Sequence, residues 1–173
     1  TLDHVTRGVV EEMDRAGFET AHIIGCSMGG TAALGVARAG RARSALAICP
    51  AGGSGKEQTD RLVQHFEMLN NLSLLRRLLV PIVLSRPHLR RVALRAVLEH
   101  GDRISTRQAI ALRRNSANGD WTNILSGFSA FQLDPTPEVS VPFMLAWGEL
   151  DRFTPMLHEQ PLWHKTVPHA ESH

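Results

Sequence analysis

A chain of 173 residues with 43% hydrophobic and 21% charged content has an ordinary globular make-up, enough for one domain or one domain with an insertion. Its 19 basic and 17 acidic residues give a net charge of +2, too balanced to argue for a nucleic-acid partner, and no run of 18 apolar residues offers a stable membrane insertion. The two cysteines, Cys26 and Cys49, end apolar runs and read as small buried residues rather than a disulfide, which points to a reducing, cytoplasmic compartment.

In chain order, Leu2, Val5, Val9 and Met13 recur at helical spacing with Asp3, Glu11 and Glu12 outside, so an amphipathic helix is expected over 1–16, ending near Gly17. Ala21 to Cys26 reads as a strand in which His22 is packed and hydrogen-bonded. A small-residue helix is expected over 28–39, stopped by Gly40, and a second strand over 44–49, stopped by Pro50. Strand, helix, strand in this order is a parallel crossover unit. Ala51 to Gly55 reads as a loop and an insertion point. The Lys56 that follows invites a phosphate-loop reading, but Pro50 and Glu57 stand where that motif needs Gly and Ser or Thr.

Helical patterns then dominate, over 57–79, 87–100, 105–117 and 121–131. They suggest an inserted helical cap over 55–137, between core segments 1–54 and 138–173. Leu89, Val92, Ala96 and Leu98 mark its apolar side, with Arg90, Arg91 and Arg95 opposite. With Arg76, Arg77 and Arg86 these make the cap basic. Solvated helix faces are the plain reading, and a membrane-surface or partner-docking face is the other. Asp134-Pro-Thr-Pro137 reads as a rigid exit. Val141 to Trp147 is a strong strand, 156–166 looks helical despite Pro161, and 169–173 leaves room for a strand stub.

The chemistry-bearing stretch is Gly25-Cys-Ser-Met-Gly-Gly30, a G-x-S-x-G at a strand-to-helix turn. A turn this tight strains the serine backbone, and side chains at positions 25 and 29 are expected to collide. Ser27 would project from the sheet edge at a helix N-terminus, with the Met28 N–H as an oxyanion donor. The pattern alone arises by chance roughly once in twenty chains of this length, so a glycine-rich turn with a solvated serine is the alternative. An activated serine needs a base, and the base needs an orienting carboxylate. Asp151, just after the strand 141–147, is the candidate acid and Glu149 its rival. His65, His88 and His100 read as surface residues. No metal is expected: Leu162 stands where H-E-x-x-H needs its second His after His158-Glu159, and Pro168 argues against a helix joining His169 to His173. His164 adds nothing to either pattern.

Gly25-Cys-Ser-Met-Gly-Gly30, Cys49-Pro-Ala-Gly52 and Ala146-Trp-Gly-Glu-Leu-Asp-Arg-Phe-Thr-Pro155, in that order, resemble the α/β-hydrolase superfamily over nearly the whole chain outside the cap. The resemblance implies an α/β fold, a mostly parallel sheet with flanking helices, Ser27 as nucleophile and Asp151 as triad acid. It also implies a hydrolase with no cofactor, acting on a small ester or related carbonyl substrate through an acyl-enzyme. Serine at the elbow is unlike the epoxide-hydrolase and haloalkane-dehalogenase branches, which carry aspartate there. Cofactor-independent perhydrolases and carbon–carbon bond hydrolases share the architecture, and a non-catalytic ligand- or partner-binding relative is the reading from another class.

The chain departs from the family in two places. Nothing in it supplies the His-Gly loop that carries the second oxyanion donor, and the family's earlier strands have no counterpart before Thr1. The family's histidine follows the last strand. Ser172-His173 fits that order, but Pro168-His-Ala-Glu reads as the lead-in to a strand of about five or six residues. The base is expected beyond the chain, with His173 the candidate within it. The chain therefore reads as a fragment, inactive by itself, whose strand 21–26 leaves an open apolar edge that favours association. Its substrate and oligomeric state are not legible.

Overall fold

A computed structural model describes residues 2–52, 60, 64, 74–95, 97–118, 133–134, 138–151 and 154–173. Their elements are α1 (Leu2–Arg15), β1 (Ala21–Cys26), α2 (Met28–Arg38), β2 (Ala42–Ile48), α3 (Leu74–Ser85), α4 (Pro87–Leu94), α5 (Thr106–Asn118), β3 (Phe143–Ala146), α6 (Met156–Thr166) and β4 (Glu171–Ser172). They fall into two compact units, one of residues 1–59 with 127–173, the other of residues 60–126.

The first unit holds a four-stranded parallel sheet in the order β1-β2-β3-β4. Register brings Ile23, Ala45 and Phe143 side by side, and likewise Gly25, Ala47 and Leu145. Ala45, Ala47, Phe143 and Leu145 are buried, in one core with Met13, Leu34, Val36, Trp163 and Val167 from α1, α2 and the α6 end. The Phe143 and Trp163 rings lie 6.4 Å apart and tilted by 30°, a favourable aromatic geometry. Helices α1 and α2 approach closely because residue 35 is glycine: a Cβ there would lie 1.8 Å from Thr6 Oγ1.

Strand alternation decides what lies on the other face. His22, Ile24 and Cys26 are exposed, Ile24 to 71%. This corrects two sequence expectations. Cys26 is exposed rather than buried, and His22 is not packed, although its Nδ1 lies 2.8 Å from Ser44 Oγ. Both share the parity of Ile24, and that parity points away from α1 and α2. Strand β2 begins at Ala42, earlier than expected, because its register shifts between Ala21 and His22. The shift sets Arg43 apart as an extra residue, a bulge, whose Nε donates to Thr20 Oγ1 at 2.9 Å.

The second unit packs α3, α4 and α5 around Leu84, Leu94 and Ala109, with Val80, Leu98 and Ile104 against them. Here the expected faces hold only in part: Arg91 and Arg95 are exposed and Leu98 packs on the core as expected, but three residues depart. Leu89 and Val92 are exposed, whereas Arg90 is only 5% exposed. The reason is hydrogen bonding: Arg90 donates to the carbonyls of Leu84 (2.7 Å), Gly101 (3.0 Å) and Asp102 (3.1 Å), and to Thr106 Oγ1 (3.3 Å). A guanidinium buried with its donors used is stable where an unpaired one is not. The same contacts fold the chain back after Leu94, so the helix expected over 87–100 stops there. The helix expected over 57–79 lies mostly outside the described residues; its end belongs to α3, which passes through Pro81. The helix expected over 121–131 lies wholly outside them, and the exit 134–137 nearly so.

Candidate active site

Because the strands are parallel, β1, β2 and β3 all end on one edge, and the loops that follow them carry Ser27, Cys49 and Asp151. Among the described non-glycine residues, Ser27 (φ 54°) and Cys49 (φ 44°) have positive φ. Such conformations are costly for side chains with a Cβ and persist where the surroundings impose them.

Ser27 is held by both neighbours. Its N–H donates to the Ile48 carbonyl at 2.9 Å, and its own carbonyl accepts from Gly30 (2.9 Å), Thr31 (3.3 Å) and Ala51 (3.3 Å). Thr31 Oγ1 returns the link by donating to the Ala51 carbonyl at 2.6 Å. With ψ at −121°, Ser27 is the N-cap residue of α2, yet its side chain makes no capping hydrogen bond. The exposed hydroxyl is therefore not spent on its own helix. Met28 and Gly29 take the first helical positions, whose N–H groups have no acceptor within a helix and favour negative charge.

The glycines around Ser27 are not equivalent. A Cβ at Gly25 would lie 2.0 Å from the Gly29 carbonyl oxygen, and one at Gly30 2.9 Å from Pro50 Cβ. At Gly29 nothing lies within 4 Å. The crowding expected on both sides of the serine is thus on one side at position 25, and position 30 supplies the second constraint.

Asp151 closes a turn after β3, its N–H donating to the Gly148 carbonyl at 3.0 Å. Thr154, 4% exposed, donates its N–H to Asp151 Oδ1 at 2.9 Å, and its Oγ1 lies 3.0 Å from Asp151 Oδ2 and 3.1 Å from the Cys49 carbonyl. The Gly148 N–H donates to Cys49 Sγ at 3.5 Å. Burial, then a hydrogen bond to Asp151, push the Cys49 thiol up to about 11. Sequence reading missed Thr154 and Cys49 as parts of the Asp151 surroundings; the D-x-x-T spacing was the available signal for Thr154. Glu149 is exposed. Arg38, on α2 and remote from these loops in sequence, donates to the Asp134 carbonyl, and burial lowers its guanidinium below the ordinary range against the pull of Asp134.

His173 continues the ladder beyond β4: its N–H donates to the Leu145 carbonyl at 3.0 Å, and its carbonyl accepts from Trp147 N–H at 3.0 Å. It occupies a strand position, not a loop after a strand. His164 Nε2 lies 3.1 Å from Ser172 Oγ, and His169 Nε2 lies 3.1 Å from the Val141 carbonyl. Among the described residues no three His, Cys, Asp or Glu side chains form a group able to hold a metal, and no helix is long and apolar enough to cross a membrane.

No protein-family profile matches the chain. Over 51 residues it is 51% identical to the epoxide hydrolase EphH of Mycobacterium tuberculosis, a stretch covering 30% of this chain and 22% of that protein. Among solved structures it resembles a hydrolase from Pseudomonas aeruginosa, with 16% identity and a TM-score of 0.65, across 100% of this chain and 63% of that one. It also resembles a serine hydrolase from the polyaromatic-hydrocarbon-degrading bacterium Cycloclasticus zankles, with 20% identity and a TM-score of 0.65, across 97% of this chain and 60% of that one. The chain thus spans under two thirds of each of these proteins. With its parallel sheet, its strand–serine–helix turn and these likenesses, the chain has the α/β-hydrolase fold.

Proposed function

We propose that the protein is a serine hydrolase of this fold, acting on a small ester or related carbonyl substrate through an acyl-enzyme. The observation that carries the reading is the state of Ser27: a positive-φ serine at the N-terminus of α2 whose hydroxyl caps nothing. In the proposed reaction Ser27 Oγ attacks the carbonyl carbon while a histidine takes its proton, and Asp151 orients that histidine. The oxyanion is met by the Met28 N–H, which the start of α2 leaves without a helical acceptor, and by a second donor. The histidine then protonates the leaving group, and water repeats the sequence on the acyl-enzyme. Strand β2 separates β1 from β3, so the strand ends from which the Ser27 and Asp151 loops leave stand roughly 10 Å apart, which supports a histidine reaching both. His173 is the candidate base within the chain; its strand position favours a histidine that follows it. We assign substrate choice to the cap expected from the sequence over 55–137.

The likeness to EphH raises a second reading, epoxide hydrolysis. Chemistry weighs against Ser27 serving it by the same route. Attack of a serine oxygen on an epoxide carbon makes an ether, which no oxyanion donor helps water to cleave, whereas attack on an ester makes another ester. Hydrolysis of p-nitrophenyl acetate and of styrene oxide by the full-length protein and its Ser27→Ala variant separates the two. Ester turnover lost in Ser27→Ala is expected; epoxide turnover that survives Ser27→Ala, with no ester turnover, would overturn the proposal.

A further inference from the structure

The end of β2 contains a feature that the proposed reaction leaves unused. Cys49 adopts φ 44° immediately after the strand. A non-glycine residue in this region costs about 1–2 kcal/mol unless something holds it there, and here the holding contacts come from the end of β3 and the acid loop after it. Its N–H donates to the Ala146 carbonyl at 2.7 Å, and its Sγ accepts from Gly148 N–H at 3.5 Å. Its carbonyl faces Thr154 Oγ1 at 3.1 Å, and burial together with the nearby Asp151 raises the thiol above its ordinary range. A thiolate there would be opposed by burial and by the negative charge of Asp151.

Thr154 completes the frame. Its amide fixes Asp151 Oδ1, while its hydroxyl has one proton and two acceptors within reach, Asp151 Oδ2 and the Cys49 carbonyl. With Asp151 ionised, the charge-assisted bond to Oδ2 is the stronger of the two.

We propose that Cys49 and Thr154 are positioning residues for Asp151: Thr154 holds both carboxylate oxygens through its amide and hydroxyl, and the Cys49 sulfur at the end of β2 holds the Gly148 amide, whose residue's carbonyl in turn receives the Asp151 N–H, so that the carboxylate faces the base serving Ser27. The assignment rests on the roles given above to Ser27 and Asp151. It makes Cys49 a support of the acid turn and not a nucleophile, although it lies on the catalytic edge.

Two measurements test it. With Cys26→Ser, Cys49 is the sole thiol of the chain, and thiolate absorbance against pH reports it alone. Ionisation near 11 is expected. Asp151→Asn lowers it, though not to the ordinary 9.0, because burial remains. Asp151→Glu, which keeps the charge and shifts its position, gives a second reading should Asp151→Asn fold poorly. An unchanged titration in both variants overturns the proposal. In the full-length protein, the rate of fluorophosphonate labelling is expected to fall about tenfold in Cys49→Ala and in Thr154→Val, the size of one misplaced hydrogen bond. Cys49→Ser, which keeps an acceptor for the Gly148 amide, and Thr154→Ser, which keeps the hydroxyl donor, should stay within about twofold of the wild type. Wild-type rates in Cys49→Ala and Thr154→Val, with labelling abolished in Ser27→Ala, overturn the positioning role and leave Ser27 standing. Labelling that survives Ser27→Ala removes the Ser27 reading, and the thiol titration then decides the Cys49–Asp151 contact alone.

Discussion

Gly25 and Gly29 flank Ser27 symmetrically in sequence but not in space. A methyl group at position 25 meets a backbone carbonyl at 2.0 Å, which no rotamer relieves, while position 29 opens to space. Gly25→Ala should therefore destabilise the chain by about 3 kcal/mol, and Gly29→Ala by no more than about 0.5 kcal/mol; urea unfolding of the two variants checks the contrast. Cys49 adds a pH dependence of known sign. Its thiol is raised from 9.0 to about 11, so the folded state holds the proton more tightly than the unfolded chain. The stability this gives is complete below pH 9.0 and is lost as pH rises through about 11. Unfolding midpoints of the native chain should fall over that window by more than those of Cys49→Ser, whose hydroxyl does not titrate there. Equal slopes would contradict the assignment. Neither the left-handed backbone of Cys49 nor its contacts with Gly148 and Thr154 were legible in the sequence, because no glycine or asparagine marks the position.

At the level of elements, the legible parts were those whose burial is set by period. Strand β1, helix α2, strand β3 and helix α6 lie close to where alternation, small-residue spacing and a continuous apolar run place them. Periodicity misread α4 because it takes every arginine as an outward residue. Arg90 is inside for a reason that spacing does not encode, namely the carbonyls of Leu84, Gly101 and Asp102 that need donors. Arg90→Met keeps the bulk and removes those donors. It should cost about 3 kcal/mol and speed amide hydrogen exchange around the 94–106 turn while leaving exchange in β1 and β2 unchanged. Uniform acceleration through both units, or none, would contradict the local role. Strand β4 was legible only as a stub, since it pairs through Glu171 and Ser172 and gains its last ladder contacts from His173.

For the whole molecule, the sheet dictates both the site and the behaviour of the chain. Parallel pairing gathers the loops after β1, β2 and β3 on one edge, and that order was legible from the strand–helix–strand pattern and the spacing of Ser27 and Asp151. The same sheet ends at β1, whose outer backbone groups are unpaired by any described strand and whose Ile24 is 71% exposed. An apolar strand edge templates association. Sedimentation velocity of the chain should show concentration-dependent association that Ile24→Lys weakens; a monomer at every concentration would refute this. The central claim, Ser27 as the nucleophile, is tested most directly by treating the full-length protein with a fluorophosphonate and locating the adduct by peptide mass spectrometry. The account predicts a single adduct on the peptide carrying Ser27, absent in Ser27→Ala and slowed in Asp151→Asn. An adduct elsewhere, or one undiminished in Ser27→Ala, would contradict it.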